Sequence, residues 1–324
     1  MASFMDNIKA NREERKRERQ VEKIEQMQGN MVTNPGFAGR LADVLIWLFL
    51  ALIMFVSVIP LWHTIVCSLS DGKLLLAHAG LLVKPLTTAE EGLVNWGGYA
   101  LIFRDSSVLS GYMNSAIYVV GGTLLGLLMN IVAGYILSRE TRWKSAMILF
   151  FLFTTMFNGG TVPTYMVIRS LGMTGTRWAL IIPGATNAMF MILMMNTFAA
   201  VDKSYVEAAE IDGAGHIDIM FKVMYPQCKG MALVTAINTA IMKWNEWFSA
   251  SIYVPTQKQY WPLQLWVKQL TANNMDFLKS VNPDYNNYLI QYAVVIAATA
   301  PILILLPFFI GKLEKGMVLG GVKG

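Results

Sequence analysis

Apolar residues gather along the chain into six runs, at about 44 to 66, 116 to 137, 146 to 168, 178 to 200, 231 to 254 and 288 to 310. Polar and charged positions lie mostly between them. A hydrocarbon core about 30 Å thick needs roughly 20 apolar residues per helix, and each run meets that length. The pattern predicts an all-α polytopic membrane protein with six transmembrane helices. Four runs contain no Asp, Glu, Lys, Arg or His, and the first adds only His63 near its far end. The fifth carries Lys243 and Glu246, the sole formal charges inside any predicted span.

Composition agrees with this picture. Of the 324 residues, 55% are apolar and 15% charged, against about 25% charged in an ordinary soluble domain. The mean hydropathy is +0.45. Disorder, collagen-like repeats and a disulfide scaffold are excluded as the main architecture. Cys67 and Cys228 have neither the number nor the spacing of a metal knuckle or redox pair, so packing is their expected role. The charged N-terminus lacks an apolar core followed by a small-residue cleavage site, so no cleavable signal is read there.

Short basic loops resist translocation, so Lys and Arg set the orientation. Residues 1 to 40, 138 to 144, 201 to 230 and 311 to 324 hold seventeen basic residues, and the opposite loops hold eight. Both termini are therefore expected in the cytoplasm. Residues 1 to 40 form a cytoplasmic N-terminal segment, and 41 to 324 the six-span domain. Within the former, residues 12 to 25 mix both charge signs at helical spacing, as a solvated helix or a partner-facing one does, before Asn34-Pro35-Gly36 breaks the chain. The outer loop of residues 67 to 109, with Asn95-Trp96-Gly97-Gly98-Tyr99, is expected to be ordered. Pro60, Asn158-Gly159-Gly160 with Pro163, Pro183-Gly184, Pro301 and Pro307 interrupt spans. Interrupted backbone in a bilayer faces protein or a watery cavity, which is what a translocation path provides, and Pro and Gly are also common in membrane helices generally.

The longest internal cytoplasmic loop, residues 201 to 230, is more than a linker. Tyr205 to Ile211 suits a short helix with Asp202 or Ser204 as N-cap and Glu207 near the positive end of the dipole. Gly213 and Gly215 stop it and permit a tight turn. A second amphipathic piece follows with Ile217, Met220, Phe221 and Met224 on one face, closed by Pro226. A helix-turn-helix outside the membrane is implied.

Glu207-Ala208-Ala209, Gly213, Val223, Tyr225 and Pro226, at this spacing, resemble the EAA loop of binding-protein-dependent ABC importer permeases. The family pattern ends in Ile-x-Leu-Pro, so Val223 and Tyr225 depart from it. Asn114-Ser115, Ala133-Gly134-Tyr135 with Ser138-Arg139, and Trp244-Asn245-Glu246-Trp247 are similar to the MalG-like, carbohydrate-uptake branch. The tail from Lys315 to Gly324 resembles the LplC subgroup, associated with oligo- and polysaccharide import.

The resemblance implies a type I ABC importer permease fold with a cytoplasmic coupling helix, in a bacterial inner membrane. It implies that Glu207, Ala208, Ala209, Asp212, Gly213, Gly215 and Pro226 couple this chain to a cytoplasmic ATPase. It further implies a homologous second permease, two ATP-binding cassette subunits carrying ATP and Mg, an extracytoplasmic solute-binding protein, a saccharide substrate and surrounding lipid. No nucleic-acid partner is expected. Lys243, Trp244, Asn245, Glu246 and Asn158 are candidates for the substrate path, where aromatic faces stack on sugar rings and amides meet hydroxyls. For Lys243 and Glu246 a buried pair stabilising the permease dimer is an equal reading.

This chain is not expected to be an enzyme or to bind a cofactor. Gly72-Lys73 and Gly311-Lys312 lack the remaining residues of a phosphate-cradling loop. His63, His78 and His216 are scattered, and no Gly-x-Ser-x-Gly turn occurs. A permease for a non-sugar solute such as peptide or phosphate is the alternative. Lys258, Lys268 and Lys279 beside Asp276 and Asp284 leave the charge of a saccharide open.

Overall fold

The computed structural model describes residues 37–88, 92–157, 159–272 and 287–321. The charged stretch 12 to 25, the Asn34-Pro35-Gly36 break, Asn158, Asp276, Lys279, Asp284 and the last three residues lie outside them. Among the described residues the secondary structure is helical throughout, with no strand.

In chain order the helices are α1 Phe37–Ser68, α2 Gly72–Ala77, α3 Gly97–Arg104, α4 Ser106–Ser138, α5 Lys144–Met156, α6 Thr161–Ser170, α7 Trp178–Ile181 and α8 Ala188–Ala199. There follow α9 Lys203–Ile211, α10 His216–Asp218, a π-helical turn Ile219–Met224 and α11 Tyr225–Gln227. The rest are α12 Lys229–Trp244, α13 Phe248–Tyr253, a 3₁₀ turn Lys258–Tyr260, α14 Leu263–Ala272 and α15 Asn287–Gly321.

Packing divides the chain into two units, Met1–His63 and Thr64–Gly324. The described part of the first is helical, and most of its apolar side chains from Leu41 to Trp62 are exposed. In the second unit, α4 packs mainly on α8 and α12, and α12 on α15. In a bilayer, apolar side chains gain little by exchanging lipid for one another, so helix association rests on close approach of backbones and on polar links. Gly122, Gly126 and Gly134 serve that purpose on one buried face of α4.

Among the described residues three helices are long and apolar enough to cross a bilayer, and a fourth span arises if α5 and α6, bent by 117°, are taken together. The six-run pattern is thus not reached by uninterrupted helices. The runs at 146 to 168, 178 to 200 and 231 to 254 are each built of two helical pieces, the first pair ending at Met156 and beginning at Thr161, the others separated at 182–187 and 245–247. Pro60, Pro301 and Pro307, expected to interrupt spans, lie inside continuous helices. A proline removes one intrahelical bond, and a long helix absorbs that loss without ending. The break at 245–247 contains neither Pro nor Gly and was not signalled by the pattern.

Between α1 and α4 the described loop residues are ordered as expected. Asp71 accepts from the amides of Lys73 and Leu74 to cap α2, and Ser68 is hydrogen-bonded to Tyr99 at 2.7 Å. Asp105 caps α4 by accepting from the Ser107 amide, so the second span begins ten residues before the predicted 116.

Candidate functional site

The segment from 201 to 230 folds as an elbow. Asp202, not Ser204, caps α9 by accepting from the Ser204 amide at 3.0 Å. Starting at Lys203 places Glu207 in the second turn, beyond the reach of the helix dipole. Gly213 ends α9 with φ +80°, a left-handed conformation that glycine adopts without penalty. Its amide donates to Glu210 O at 3.1 Å and the Ala214 amide to Ala209 O at 2.9 Å, the two bonds of a Schellman cap. Gly215 has an ordinary extended backbone and precedes α10.

The second arm departs from the expected amphipathic face. Ile219, Met220 and Met224 are buried, whereas Ile217 is 72% exposed and Phe221 is also exposed. The π turn at 219–224 carries one more residue per turn than an α-helix, which rotates the apolar face and brings Ile219 inward in place of Ile217. Pro226 sits in the first turn of α11 and does not separate it from α12, which begins at Lys229 after the single residue Cys228.

The elbow is bound to the spans by one hydrophobic core. Val206, Ile219, Met220 and Met224 from the elbow meet Ile131 and Tyr135 of α4, Met194 and Phe198 of α8, and Met231 and Val234 of α12. Ala209, Ala214 and Tyr225 pack against that core. Glu207, Ala208, Asp212 and Pro226 are exposed, beside Tyr205 (56% exposed) and Ile211 (85%). Buried Cys228 is held in the same core, and burial pushes its thiol up to about 11, so it stays neutral and unreactive at physiological pH.

A cavity of about 700 Å³ lies between the end of α4, the start of α5 and the elbow, with Arg139, Glu207, Glu210 and His216 on its wall. Arg139 donates to Glu210 Oε1 at 2.6 Å, and the Tyr135 hydroxyl stands 3.4 Å from His216 Nδ1. Both partners of the ion pair are partly exposed, so it guides the elbow's seating more than it stabilises the fold.

The 243–247 region lies at the far end of α12. Lys243 is 3% exposed, and its ammonium donates to Leu180 O and Pro183 O, both at 2.7 Å, and to Glu246 Oε2 at 3.2 Å. The pair is thus satisfied within one chain. Trp244 donates its indole N–H to Ala298 O at 3.1 Å and packs on Tyr112. It also borders an apolar cavity of about 410 Å³ among α4, α12 and α15. Asn245 is exposed, its amide donating to Ile241 O, and Glu246 is partly exposed. Next to them stands exposed Trp247, with the Lys268 ammonium 5.1 Å from its ring centre.

Asn114 and Ser115, noted in the sequence for their resemblance alone, pin the 259–263 segment to α4. The Asn114 amide donates to Gln259 O at 2.8 Å and Trp261 O at 3.1 Å and accepts from Arg177 at 3.0 Å; the Leu263 amide donates to Ser115 Oγ at 2.9 Å. Asn114→Ala should lower the stability of the purified protein by about 2–3 kcal/mol, because buried carbonyls and a guanidinium lose their partner. Thermal unfolding checks this, and an unchanged melting temperature refutes it.

Comparison with known proteins agrees with this architecture. Residues 130–319 match the family described as binding-protein-dependent transport system inner membrane component. The chain is 31% identical over 294 residues to Protein LplC of Bacillus subtilis (strain 168), covering 89% of this chain and 96% of that one. It is 30% identical over 292 residues to the polygalacturonan/rhamnogalacturonan transport system permease protein YtcP of the same organism, covering 88% and 99%. Among solved structures, it shares its fold with a chain of a bacterial ABC transporter involved in the import of the acidic polysaccharide alginate. That match has a TM-score of 0.76 and 24% identity, and covers 84% of this chain and 96% of the other. The resemblance carried by residues 207–226 and 244–247 holds at the level of the family: this chain belongs to the binding-protein-dependent transport system inner membrane components, the permeases of ABC importers.

Proposed function

We propose that this permease component, which is not itself an enzyme, carries an oligo- or polysaccharide across a bacterial inner membrane as ATP is hydrolysed on partner subunits. The observation that carries the coupling is the elbow at 203–227. It is anchored by its own core on one side and presents Glu207, Ala208, Tyr205 and Ile211 to the outside on the other. An exposed patch of this kind on a rigid support is what a docking lever requires.

In this reading the elbow and both termini face the cytoplasm. Glu207, Ala208, Ala209, Asp212, Gly213, Gly215 and Pro226 form the coupling element. Two ATP-binding cassette subunits hold ATP and Mg, a second permease completes the pathway, and an extracytoplasmic binding protein delivers the saccharide. Asn245, Glu246 and Trp247 border the path with amide, carboxylate and aromatic groups, while Trp244 and Lys243 hold the wall behind them. The names of YtcP and of the alginate transporter support a polysaccharide cargo.

Reconstitution into liposomes with the cognate ATPases, second permease and binding protein tests the reading. ATP-dependent accumulation of labelled oligosaccharide is expected. Accumulation of phosphate or peptide with no saccharide uptake refutes the substrate class.

A further inference from the structure

The two helices that flank the elbow, α8 and α12, are joined at both ends. At the elbow end Met194 and Phe198 of α8 and Met231 and Val234 of α12 share one core with Val206, Ile219 and Met224. At the other end each helix meets a break, 182–187 before α8 and 245–247 after α12. Lys243, in the last turn of α12, crosses between the breaks. Its ammonium has three N–H donors and no acceptor, and three oxygens receive them: Leu180 O, Pro183 O and Glu246 Oε2.

The two carbonyls belong to the backbone where the fourth run leaves its helix, and such groups have no intrahelical partner. Gly184 turns the chain there with φ +70°, and a Cβ on it would lie 3.7 Å from the Lys243 ammonium. The lysine stem is also closely fitted. A Cβ on Gly122 of α4 would stand 2.9 Å from Lys243 Cε. Removing a cation from water is costly, and an apolar side chain of similar volume fills a purely structural site at least as well. The lysine instead fixes one particular arrangement of two breaks.

We propose that Lys243 is a positioning residue that welds the breaks together, so that α8, the elbow and α12 move as one closed frame when the elbow is displaced. The weld extends the transport reading, and its test has a readout that does not depend on cargo. Spin labels on cysteines replacing exposed Met189 of α8 and Met242 of α12 report the spacing of the helices in the assembled transporter. Native Cys67 and Cys228 are buried.

Lys243→Met keeps the stem and deletes the donors. The label distance distribution, narrow in the lysine protein, is expected to broaden, and ATP hydrolysed per saccharide imported to rise about tenfold. Glu246→Gln, which leaves both carbonyl bonds available, is expected to keep the narrow distribution. Should Lys243→Met fail to assemble, Gly122→Ala displaces the stem without removing charge, and the same broadening is expected. A distribution as narrow as that of the lysine protein overturns the weld. So does a proportional fall of hydrolysis and uptake. If the unmodified transporter imports no saccharide, the substrate reading fails while the distance measurement still judges the weld.

Discussion

Gly213→Val should reduce ATP-driven uptake by roughly 100-fold while the spans stay folded and the ATPases stay bound. A Cβ at Gly213 meets no atom within 4 Å, so the substitution causes no collision. The damage comes from the backbone. At φ +80° an L-residue costs about 1–2 kcal/mol, and a β-branched one more. Relief of that strain breaks the bonds from Gly213 N to Glu210 O and from Ala214 N to Ala209 O, and the angle between the arms of the elbow is lost. Glu207→Lys should act in the same direction, since it reverses the charge on the exposed face without touching the core. Parallel assays of ATPase binding, hydrolysis and uptake decide the matter, and unaltered uptake in both variants defeats the coupling role.

What was legible in the sequence depended on whether neighbours along the chain determine the outcome. The spans α1, α4 and α15 follow from long apolar runs, two of which pass through prolines that the helices absorb, and the end of α9 follows from Gly213. The interruption at 182–187 was marked by Pro183-Gly184, which act on the backbone where they stand even though a window of 20 residues averages over so short a break. The stop after Trp244 had no local marker. Lys243 bonds there to carbonyls some 60 residues earlier in the chain, a pairing that only the fold reveals.

The elbow shows the same division. Its two arms were read correctly as helices, but the π turn at 219–224 shifted the buried face from Ile217 to Ile219. Period 3.6 arithmetic has no means of anticipating an inserted residue. Nor does spacing reveal that Tyr135 and Arg139, near the end of α4, stand against His216 and Glu210 of the elbow. One signal was present and unused. Gly122 and Gly126 are four residues apart on a membrane helix, the spacing at which small residues let backbones approach.

That spacing carries the other large expected effect, because Gly126 places α4 directly against the backbone of the break in the fourth run. A Cβ built there would collide with Ala185 O and lie 3.4 Å from Thr239 Cγ2. The obstacle is backbone carbonyl, which cannot rotate aside as a side chain does, so Gly126→Ala must separate α4 from the 182–187 turn. Overpacking typically costs about 1–3 kcal/mol, and the upper end is expected where backbone must move. Melting of the purified protein should drop by several degrees and uptake should fall with it. Gly121→Ala is the internal control: on the same helix, the nearest atoms to its Cβ would belong to the Ile181 side chain at 3.5 Å, an ordinary contact. Equal stability of the two alanine variants would mean that the turn yields freely to α4, and a turn that yields freely cannot serve as the fixed upper corner of the α8–α12 frame.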